Sequence, residues 1–435
     1  MSVARFDDLA SRALLEALRC PACGARRWLV APDAVTVTCA ACKRAHRVRD
    51  HVLHVNVMTE HEEVQQERAS VPATEMAPEL GGWREVYTAQ TDPASSLAQA
   101  YLSLPYGNES EHFQEPGYFQ NVRRFAEEFD FIARHLPASG VLLDVGADGT
   151  WSTAQLSRRG LTCIALDITD HLSLAQLFQT ACPRYALVNV DMHEPVFADE
   201  AFDAITAFNA LHHSKRLDAL AANLARSLKP GGVLGFVEPY VQNAEQEAAF
   251  GAPQSALGIN ENVHTVGRWH QAFAAAGLTL ERYSLSDSFN AVFRKRAGDD
   301  AGVEEADFYA AEVTCAPSHV RMRAGETFEF SVTVASLGRA AWASRGPLPI
   351  RLSYHVSRAA PSGLEPVAFD NERTLLRSFV CPGDPQTFVV PVTIGEPGRY
   401  DVEFDLVHEA RTWFKDRGGR TAVAELDVYR GSSNT

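Results

Sequence analysis

In the middle of the chain, short apolar runs alternate with segments whose apolar residues recur every three to four positions. The runs predict buried strands, and the spacing between them predicts amphipathic helices. Strands are predicted at 141–145, 162–166, 185–190, 202–207, 233–237, 278–284 and 290–294. Helices are predicted at 151–159, 172–180, 217–228 and 266–276, with further helix in 83–136. Buried strands that alternate with helices are typical of a parallel, doubly wound sheet, so this region predicts an α/β fold.

Beyond about residue 312 the apolar period changes to two. Phe328, Phe330, Val332 and Val334 alternate with polar residues, and glycine or proline separates this run from later runs of the same kind. Such alternation is typical of half-buried antiparallel strands. Residues 312–431 therefore predict an antiparallel β-sandwich.

The part of the chain before the α/β region divides into two segments. Residues 1–58 contain a short amphipathic helix and four cysteines, and they predict a small domain of their own. Residues 59–82 are acidic, polar and interrupted by proline and glycine, which is typical of a linker. With 83–300 as the α/β domain, including a helical N-terminal lid, the sequence predicts three domains, and 435 residues are too many for one core.

The four N-terminal cysteines have the spacing of a zinc ribbon. Two CxxC turns can offer four thiolates to one tetrahedral ion, which leaves no open position, so we expect a structural Zn²⁺. Metal binding would supply much of the folding free energy of so small a unit. The predicted ligands are Cys20, Cys23, Cys39 and Cys42. With the trailing segment 48–53, they resemble the zinc-ribbon family that accompanies methyltransferases or is fused to them.

Acidic residues and glycines follow the first three predicted strands. The first strand enters a turn with Gly146 and Gly149, where backbone N–H groups at a helix start can approach a ligand closely. Asp167 ends the second strand, where an acid can accept hydrogen bonds from both hydroxyls of a ribose. After the third strand, Asp191 can accept from an adenine amino group while Met192 packs on the ring. The candidate cofactor residues are Asp144, Gly146, Asp148, Gly149, Asp167, Asp191 and Met192.

The segment 141–238 resembles the class I S-adenosylmethionine (SAM)-dependent methyltransferases. The resemblance rests on the Asp-x-Gly turn, on Phe202-Asp203 at the fourth strand, and on the run 228–232 (Leu-Lys-Pro-Gly-Gly) before the fifth. These motifs occur in the family's order, and the resemblance covers roughly residues 113–295. It implies a Rossmann-like, seven-stranded methyltransferase fold.

The same resemblance implies that SAM is the cofactor. Asp144 and Gly146 would line its methionine end, Asp167 would hold the ribose and Asp191 the adenine. Asp148 stands where the family usually has glycine, and we expect it to face the ammonium group of SAM. A nicotinamide dinucleotide is disfavoured, because the chain lacks the G-x-G-x-x-G turn.

Methyl transfer to an oxygen also needs a base that removes the proton of the acceptor. The candidates lie where predicted strands end at the carboxyl edge of the sheet. The catalytic candidates are His212, His213, Glu238 and His264. A lid over the cofactor is predicted from Tyr106, His112, Phe113 and Tyr118.

Charge and hydropathy restrict the possible partners. The net charge of −15 argues against a protein that wraps nucleic acid. Residues 1–58 are nevertheless basic: nine Lys/Arg and five Asp/Glu give +4, which leaves −15 − 4 = −19 for the rest. No apolar run approaches the roughly 18 residues of a membrane span. The N-terminus does not have the pattern of a secretory signal, so we expect a cytoplasmic protein.

Residues 322–429 resemble an immunoglobulin-like module attached to enzymes of bacterial surface-polysaccharide clusters, on the stretches 350–355, 397–409 and Trp413-Phe414. The first hypothesis is therefore a SAM-dependent methyltransferase of a sugar or glycoconjugate, with SAM and a small-molecule or glycan acceptor as its partners. One alternative is a ribosomal RNA base methyltransferase, since those can also carry a zinc ribbon. A second alternative is a non-catalytic scaffold that keeps the fold without SAM.

Overall fold

A computed structural model of the chain separates it into two units. The first unit comprises Met1–Leu278 with Tyr283–Ala297, and the second comprises Gly298–Thr435 with Thr279–Arg282. The residues that the structure describes are 8–57, 61–75, 92–106, 122, 125–241, 246–247, 250, 260–296, 308–338, 342–344, 349–376, 379–380 and 385–430. No helix among them is long and apolar enough to cross a membrane.

The first unit is built on one eleven-stranded sheet, with the order β1-β2-β3-β4-β7-β6-β5-β8-β9-β13-β12. Strands β4 to β9 of this order pair in parallel, and β13 is antiparallel to β9. The strands are β1 Trp28–Val30, β2 Thr36–Cys39, β3 Ala45–Arg49, β4 Val52–His54, β5 Val141–Val145, β6 Thr162–Asp167, β7 Ala186–Asn189, β8 Phe202–Phe208, β9 Leu228–Glu238, β12 Leu278–Leu285 and β13 Phe289–Lys295. After β9 in the chain comes β10, Tyr240–Val241, which pairs in parallel with β11, His264–Thr265, in a separate two-stranded sheet. The predicted parallel sheet is present.

Eight α-helices accompany this sheet in the described part of the first unit. They form where the predicted spacing of apolar residues occurs: α7, for example, buries Leu217, Leu220, Ala221 and Leu224 along one face. The helices are α1 Leu9–Ala17, α2 Glu62–Glu75, α3 Ser96–Ser103, α4 Ala126–Ala133, α5 Trp151–Arg158, α6 Ala175–Phe178, α7 Leu217–Ser227 and α8 Val266–Ala275. Short 3₁₀ segments occupy Asp170–Leu174 and Leu211–His213.

Two features of the first unit were not predicted. The cysteine-bearing strands continue the central sheet, because β4 pairs in parallel with β7 through Val52↔Leu187 and Leu53↔Val188. The edge of β7 is thereby paired rather than open. In addition, α2 lies within the segment predicted to be a linker, and its Arg68 donates to Asn189 Oδ1 at the end of β7.

The second unit has the alternating strands that the period of two predicts. A three-stranded sheet has the order β14-β16-β21, and a six-stranded sheet has the order β15-β24-β22-β18-β19, with β23 paired to β22. Residues of both sheets, such as Phe330 and Phe404, belong to one apolar core. The strands are β14 Ala311–Ala316, β15 His319–Arg323, β16 Thr327–Ser336, β17 Trp342–Ala343, β18 Ile350–Ala360, β19 Gly363–Ala368, β20 Phe379–Val380, β21 Gln386–Thr393, β22 Gly398–His408, β23 Thr412–Trp413 and β24 Ala422–Tyr429.

Candidate functional site

Asp144 lies near the end of β5, and its side chain is enclosed. Ser152 and Thr153 at the start of α5 each donate to Oδ2 at 2.6 Å, and Thr206 of β8 donates to Oδ1 at 2.8 Å. The residue is 1% exposed, and burial raises the pKa of the carboxyl group. Asp144 therefore ties β5 to α5 and β8, and its place at the methionine end of the cofactor stays a prediction.

Gly146 begins the turn after β5 in a backbone conformation that favours glycine. Its φ is +66°, and a Cβ placed there would lie 2.3 Å from the Cβ of Ala210, in the loop after β8. The turn and that loop are thus in contact. Only a residue without a side chain allows this approach.

We expect Gly146→Ala to destabilise the first unit by about 2–5 kcal/mol, the sum of the left-handed backbone cost and the overpacking against Ala210. Gly231→Ala is the matched control. Its φ is +75°, but a Cβ there meets nothing within 4 Å, so it should cost only about 1–2 kcal/mol. Denaturant unfolding of both variants checks the difference; equal losses would contradict the close approach of Gly146 and Ala210.

Asp148 links the turn after β5 to the end of β6. Its φ is +41°, its backbone N–H donates to Asp167 Oδ2 at 2.8 Å, and its Oδ1 lies 2.6 Å from His171 Nδ1. The carboxylate is thus paired with an imidazole of the 3₁₀ segment. The contact with His171 involves only Oδ1, and the expectation that Asp148 faces the ammonium group of SAM stays a prediction.

Asp167 ends β6 with both carboxylate oxygens engaged. Oδ1 accepts from the backbone N–H and the hydroxyl of Thr169, each at 2.8 Å, and Oδ2 accepts from Asp148. Burial and the nearby Asp148 carboxylate raise its pKa. A carboxylate offers about four acceptor positions, so one position on Oδ2 is left for a ribose hydroxyl.

Asp191 follows β7 and is 5% exposed. Its Oδ1 accepts from the backbone N–H of His193 at 2.9 Å and lies 2.7 Å from His193 Nδ1. Its Oδ2 is buried and has no hydrogen-bond partner, although Arg216 lies 3.5 Å away. Burial alone would raise the pKa of Asp191, but its bonds to His193 outweigh burial and lower it. The orphaned oxygen is an acceptor that an exocyclic adenine amino group fits.

Glu238 ends β9, is fully buried, and holds the loop after β8. Its Oε1 accepts from the backbone N–H groups of Ala210 and Leu211 at 2.9 and 2.7 Å. Its Oε2 accepts from the backbone N–H of His212 at 3.2 Å and lies 2.7 Å from His212 Nδ1. The carboxylate has no acceptor position left for a substrate proton. The prediction that Glu238 is catalytic is therefore corrected to a positioning role.

His212 lies between two carboxylates. Its second ring nitrogen, Nε2, is 3.2 Å from Glu261 Oε2. Burial alone would lower the pKa of His212, but the bonds to Glu238 and Glu261 outweigh burial and raise it to about 10. Both ring nitrogens of His212 therefore lie against carboxylates, and its role as a catalytic base stays a prediction.

His264 is held by a carboxylate on one of its two ring nitrogens. On β11, its Nδ1 lies 2.5 Å from Glu247 Oε1, and its Nε2 is buried without a hydrogen-bond partner. The strand pairs with β10, directly after Glu238, and Asn262 donates its backbone N–H to the carbonyl of His212. The structure thus brings His264 to the edge of the sheet where the other candidates lie.

The remaining candidates are placed as follows. His213 is partly exposed, and its Nδ1 lies 2.9 Å from Glu67 Oε1 of α2. Met192 is half-buried beside Asp191. Tyr106 donates to Asp130 Oδ1 at 2.8 Å. The lid residues His112, Phe113 and Tyr118 lie outside the described residues.

The four N-terminal cysteines converge as predicted. Cys20 Sγ lies 3.6 Å from Cys42 Sγ, and Cys23 Sγ lies 3.6 Å from Cys39 Sγ. All four sulfurs lie within 4.8 Å of one another. Tetrahedral Zn–S bonds of about 2.3 Å separate sulfurs by roughly 3.8 Å. The donor set therefore fits one Zn²⁺ ion.

Several residues at the site gave no signal in the sequence. Thr169, His171 and His193 act through bonds to Asp167, Asp148 and Asp191, and only their closeness along the chain to those acids could have suggested them. Glu67 and Glu247 come from helical segments far along the chain from the histidines that they contact. Contacts of this range leave no local pattern.

The residues present fit an adenosyl cofactor. Asp191 has a buried oxygen without a hydrogen-bond partner, and Asp167 retains one acceptor position. Trp151 does not fill this site, because it packs between Phe129 and Phe208 in the core.

Comparisons with known proteins show what the middle of this chain is similar to. Residues 143–236 match a family model described as a methyltransferase domain. A demethylmenaquinone methyltransferase of Mycolicibacterium paratuberculosis is 28% identical over 144 residues, which are 27% of this chain and 61% of that protein. The enzyme of the same name from Tropheryma whipplei is 33% identical over 102 residues, 22% of this chain and 41% of that protein. The chain thus spans less than two thirds of these relatives.

Solved structures give weaker likenesses. The 1,6-didemethyltoxoflavin-N1-methyltransferase of Burkholderia thailandensis, with its substrate and S-adenosylhomocysteine bound, is 16% identical. The match covers 59% of this chain and 97% of that one, with a TM-score of 0.37. The family model and the curated relatives confirm the prediction that the middle of this chain is a SAM-dependent methyltransferase domain.

Proposed function

We propose that this protein transfers a methyl group from SAM to a hydroxyl of a sugar or glycoconjugate. The observation that carries the cofactor assignment is the buried Asp191 Oδ2, which has no hydrogen-bond partner at the end of β7. Leaving such an oxygen unpaired costs about 1–3 kcal/mol, and the adenine amino group would remove that cost.

Three residues would hold SAM. Asp191 would accept from the adenine amino group, Asp167 from a ribose hydroxyl, and Gly146 would let the turn approach the methionine end. When bound, SAM supplies a sulfonium whose methyl group is readily transferred. The contribution of the protein is then to bring the acceptor into line with it, an effect worth roughly 7–11 kcal/mol.

His264 would take the proton of the acceptor. Its Nε2 has no hydrogen-bond partner, and the Glu247 carboxylate at Nδ1 fixes the ring and stabilises the imidazolium that forms. Bound SAM would supply the methyl group, and His264 Nε2 would receive and hold the hydroxyl proton of the acceptor. Glu238 would keep the loop after β8 in place through its bonds to Ala210 and Leu211.

The net charge of the chain, its second unit and its curated relatives each favour or disfavour a class of methyl acceptor. The net charge of −15 disfavours RNA, and the second unit, with its resemblance to modules of polysaccharide enzymes, favours a glycan. The name of the curated relatives favours a second candidate, a quinol of the demethylmenaquinone type, which would be methylated at carbon.

Methyl-labelled SAM tests the proposal directly. We expect label in purified bacterial surface glycan, and His264→Asn should lower kcat by about 100- to 10,000-fold, the usual contribution of a general base. His319→Asn, at an exposed His–Glu pair of the second unit, is the matched control and should leave kcat unchanged. Label in demethylmenaquinone alone, or in RNA alone, would replace the glycan assignment. A folded protein that binds no SAM would leave only a scaffold.

A further inference from the structure

We propose that His212, His213 and Glu261 form a binding site for a divalent transition-metal cation, with Glu67 beside His213. The site is separate from the four-cysteine cluster, and its residues come from the loop after β8, the segment before β11, and α2.

The donor atoms converge on one point. One ligand atom from each of His212, His213 and Glu261 lies within 4.8 Å of the others. His212 Nε2 lies 3.2 Å from Glu261 Oε2. This separation suits two ligand atoms that share a cation with bonds of about 2.0–2.2 Å.

Glu67 lies beside the group and holds His213. His213 Nδ1 lies 2.9 Å from Glu67 Oε1, so the carboxylate orients this imidazole. The other oxygen of Glu67 accepts from the side-chain amide of Asn260 at 2.8 Å, which fixes the carboxylate.

Glu238 orients the ring of His212, as a carboxylate does for a histidine that binds a metal ion through its other nitrogen. Its Oε2 lies 2.7 Å from His212 Nδ1, which leaves Nε2 facing Glu261 and His213. A carboxylate behind the non-coordinating nitrogen is the usual partner of a metal-bound histidine, because it fixes the tautomer and the ring orientation.

The charge of the cluster also calls for a cation. The side chains of Glu67, Glu238 and Glu261 are 15%, 0% and 20% exposed. Three carboxylates face two imidazoles, which can supply at most two positive charges, so the group is negative in every protonation state of the histidines. A divalent ion among them would offset this excess in a setting where unpaired buried charge is costly.

Two imidazole nitrogens with carboxylate oxygens suit Mn²⁺, Fe²⁺, Co²⁺ or Zn²⁺, and the set leaves positions open for water or substrate. The site begins two residues after Ala210, which contacts the turn at Gly146. In a further step that rests on the proposed function, the cation would bind the acceptor oxygen and lower its pKa, and His264 would take the released proton.

Mn²⁺ is the probe that separates this site from the cysteines, since four thiolates prefer zinc. The full chain, loaded with one Zn²⁺ and kept free of SAM, is titrated with Mn²⁺ and the free ion is followed by electron paramagnetic resonance. We expect one Mn²⁺ per chain. Glu261→Gln and His213→Ala should each weaken binding more than about 10-fold, the smallest effect usual even for outer-shell partners.

His319→Ala, at the exposed pair with Glu425, is the control and should bind Mn²⁺ like the unmodified chain. Circular dichroism of each variant verifies that it is folded. The proposal is overturned if the folded chain binds no stoichiometric Mn²⁺, or if Glu261→Gln and His213→Ala bind it unchanged. Because SAM is absent, failure here leaves the methyltransferase proposal standing, and failure of methyl transfer leaves the cation site standing.

Discussion

Asp167→Ala is expected to weaken binding of SAM and of S-adenosylhomocysteine by about 10- to 100-fold for each ribose hydrogen bond lost. The magnitude follows because a hydrogen bond to a charged group contributes about 1.5–3 kcal/mol. The same substitution removes the acceptor of the Asp148 N–H and so loosens the turn at the cofactor. Calorimetric titration of S-adenosylhomocysteine measures the change.

Thr169→Val is the matched control for Asp167→Ala. It deletes one local donor to Asp167 Oδ1 and leaves the carboxylate and its position on Oδ2 in place. We expect Thr169→Val to retain affinity within about threefold, since a neutral hydrogen bond contributes only about 0.5–1.5 kcal/mol and none to the ligand itself. Equal affinity of the Asp167→Ala and unmodified proteins would show that this carboxylate does not hold the ribose.

Loss of Zn²⁺ from the four N-terminal cysteines should strongly lower the stability of the first unit. Cys39→Ser is expected to release one Zn²⁺ per chain, unfold β1 to β4, and lower the free energy of unfolding of the first unit by several kcal/mol. Zinc binding contributes about 10–16 kcal/mol in isolated zinc-finger peptides. Only part of that free energy is lost here, because β4 also pairs with β7. Uncovering β7 should in addition increase aggregation, since an open edge recruits other strands.

Metal analysis and thermal unfolding check the ribbon prediction. Cys315→Ser, at a half-buried cysteine of the second unit, is the control and should retain the metal. If Cys39→Ser kept its Zn²⁺, or unfolded at the same temperature as the unmodified chain, the four cysteines would not form a structural metal site.

The sequence predicted those parts of the fold that have a local pattern. The run 141–145 became β5, Val141–Val145, and the acids after the strands came to the same edge of the sheet because parallel strands share their direction. The pairing of β4 with β7 could not be predicted, since two strands more than a hundred residues apart leave no joint signal. The helix α2 was missed because prolines and acidic residues in 59–82 outweighed a short run of helix-forming residues.

The candidate site shows the same division. Residue type and position made Asp167, Asp191 and His264 candidates. Whether a carboxylate can bind a ligand, however, depends on how many of its acceptor positions are left unused by the protein. The carboxylates of Glu238 and Asp144 accept from backbone N–H groups and hydroxyls that only the folded structure brings near. The two carboxylates that contact the ring nitrogens of His212 likewise come near it only in the folded structure.

The central claim is that the turn after β5 and the acids after β6 and β7 hold an adenosyl group. A crystal structure of the full chain with S-adenosylhomocysteine tests it most directly. We predict density in which the adenine amino group reaches Asp191 Oδ2 and a ribose hydroxyl reaches Asp167 Oδ2. A crystal grown with saturating S-adenosylhomocysteine would contradict the claim if it showed no bound ligand at these residues and left Asp191 Oδ2 without a hydrogen bond.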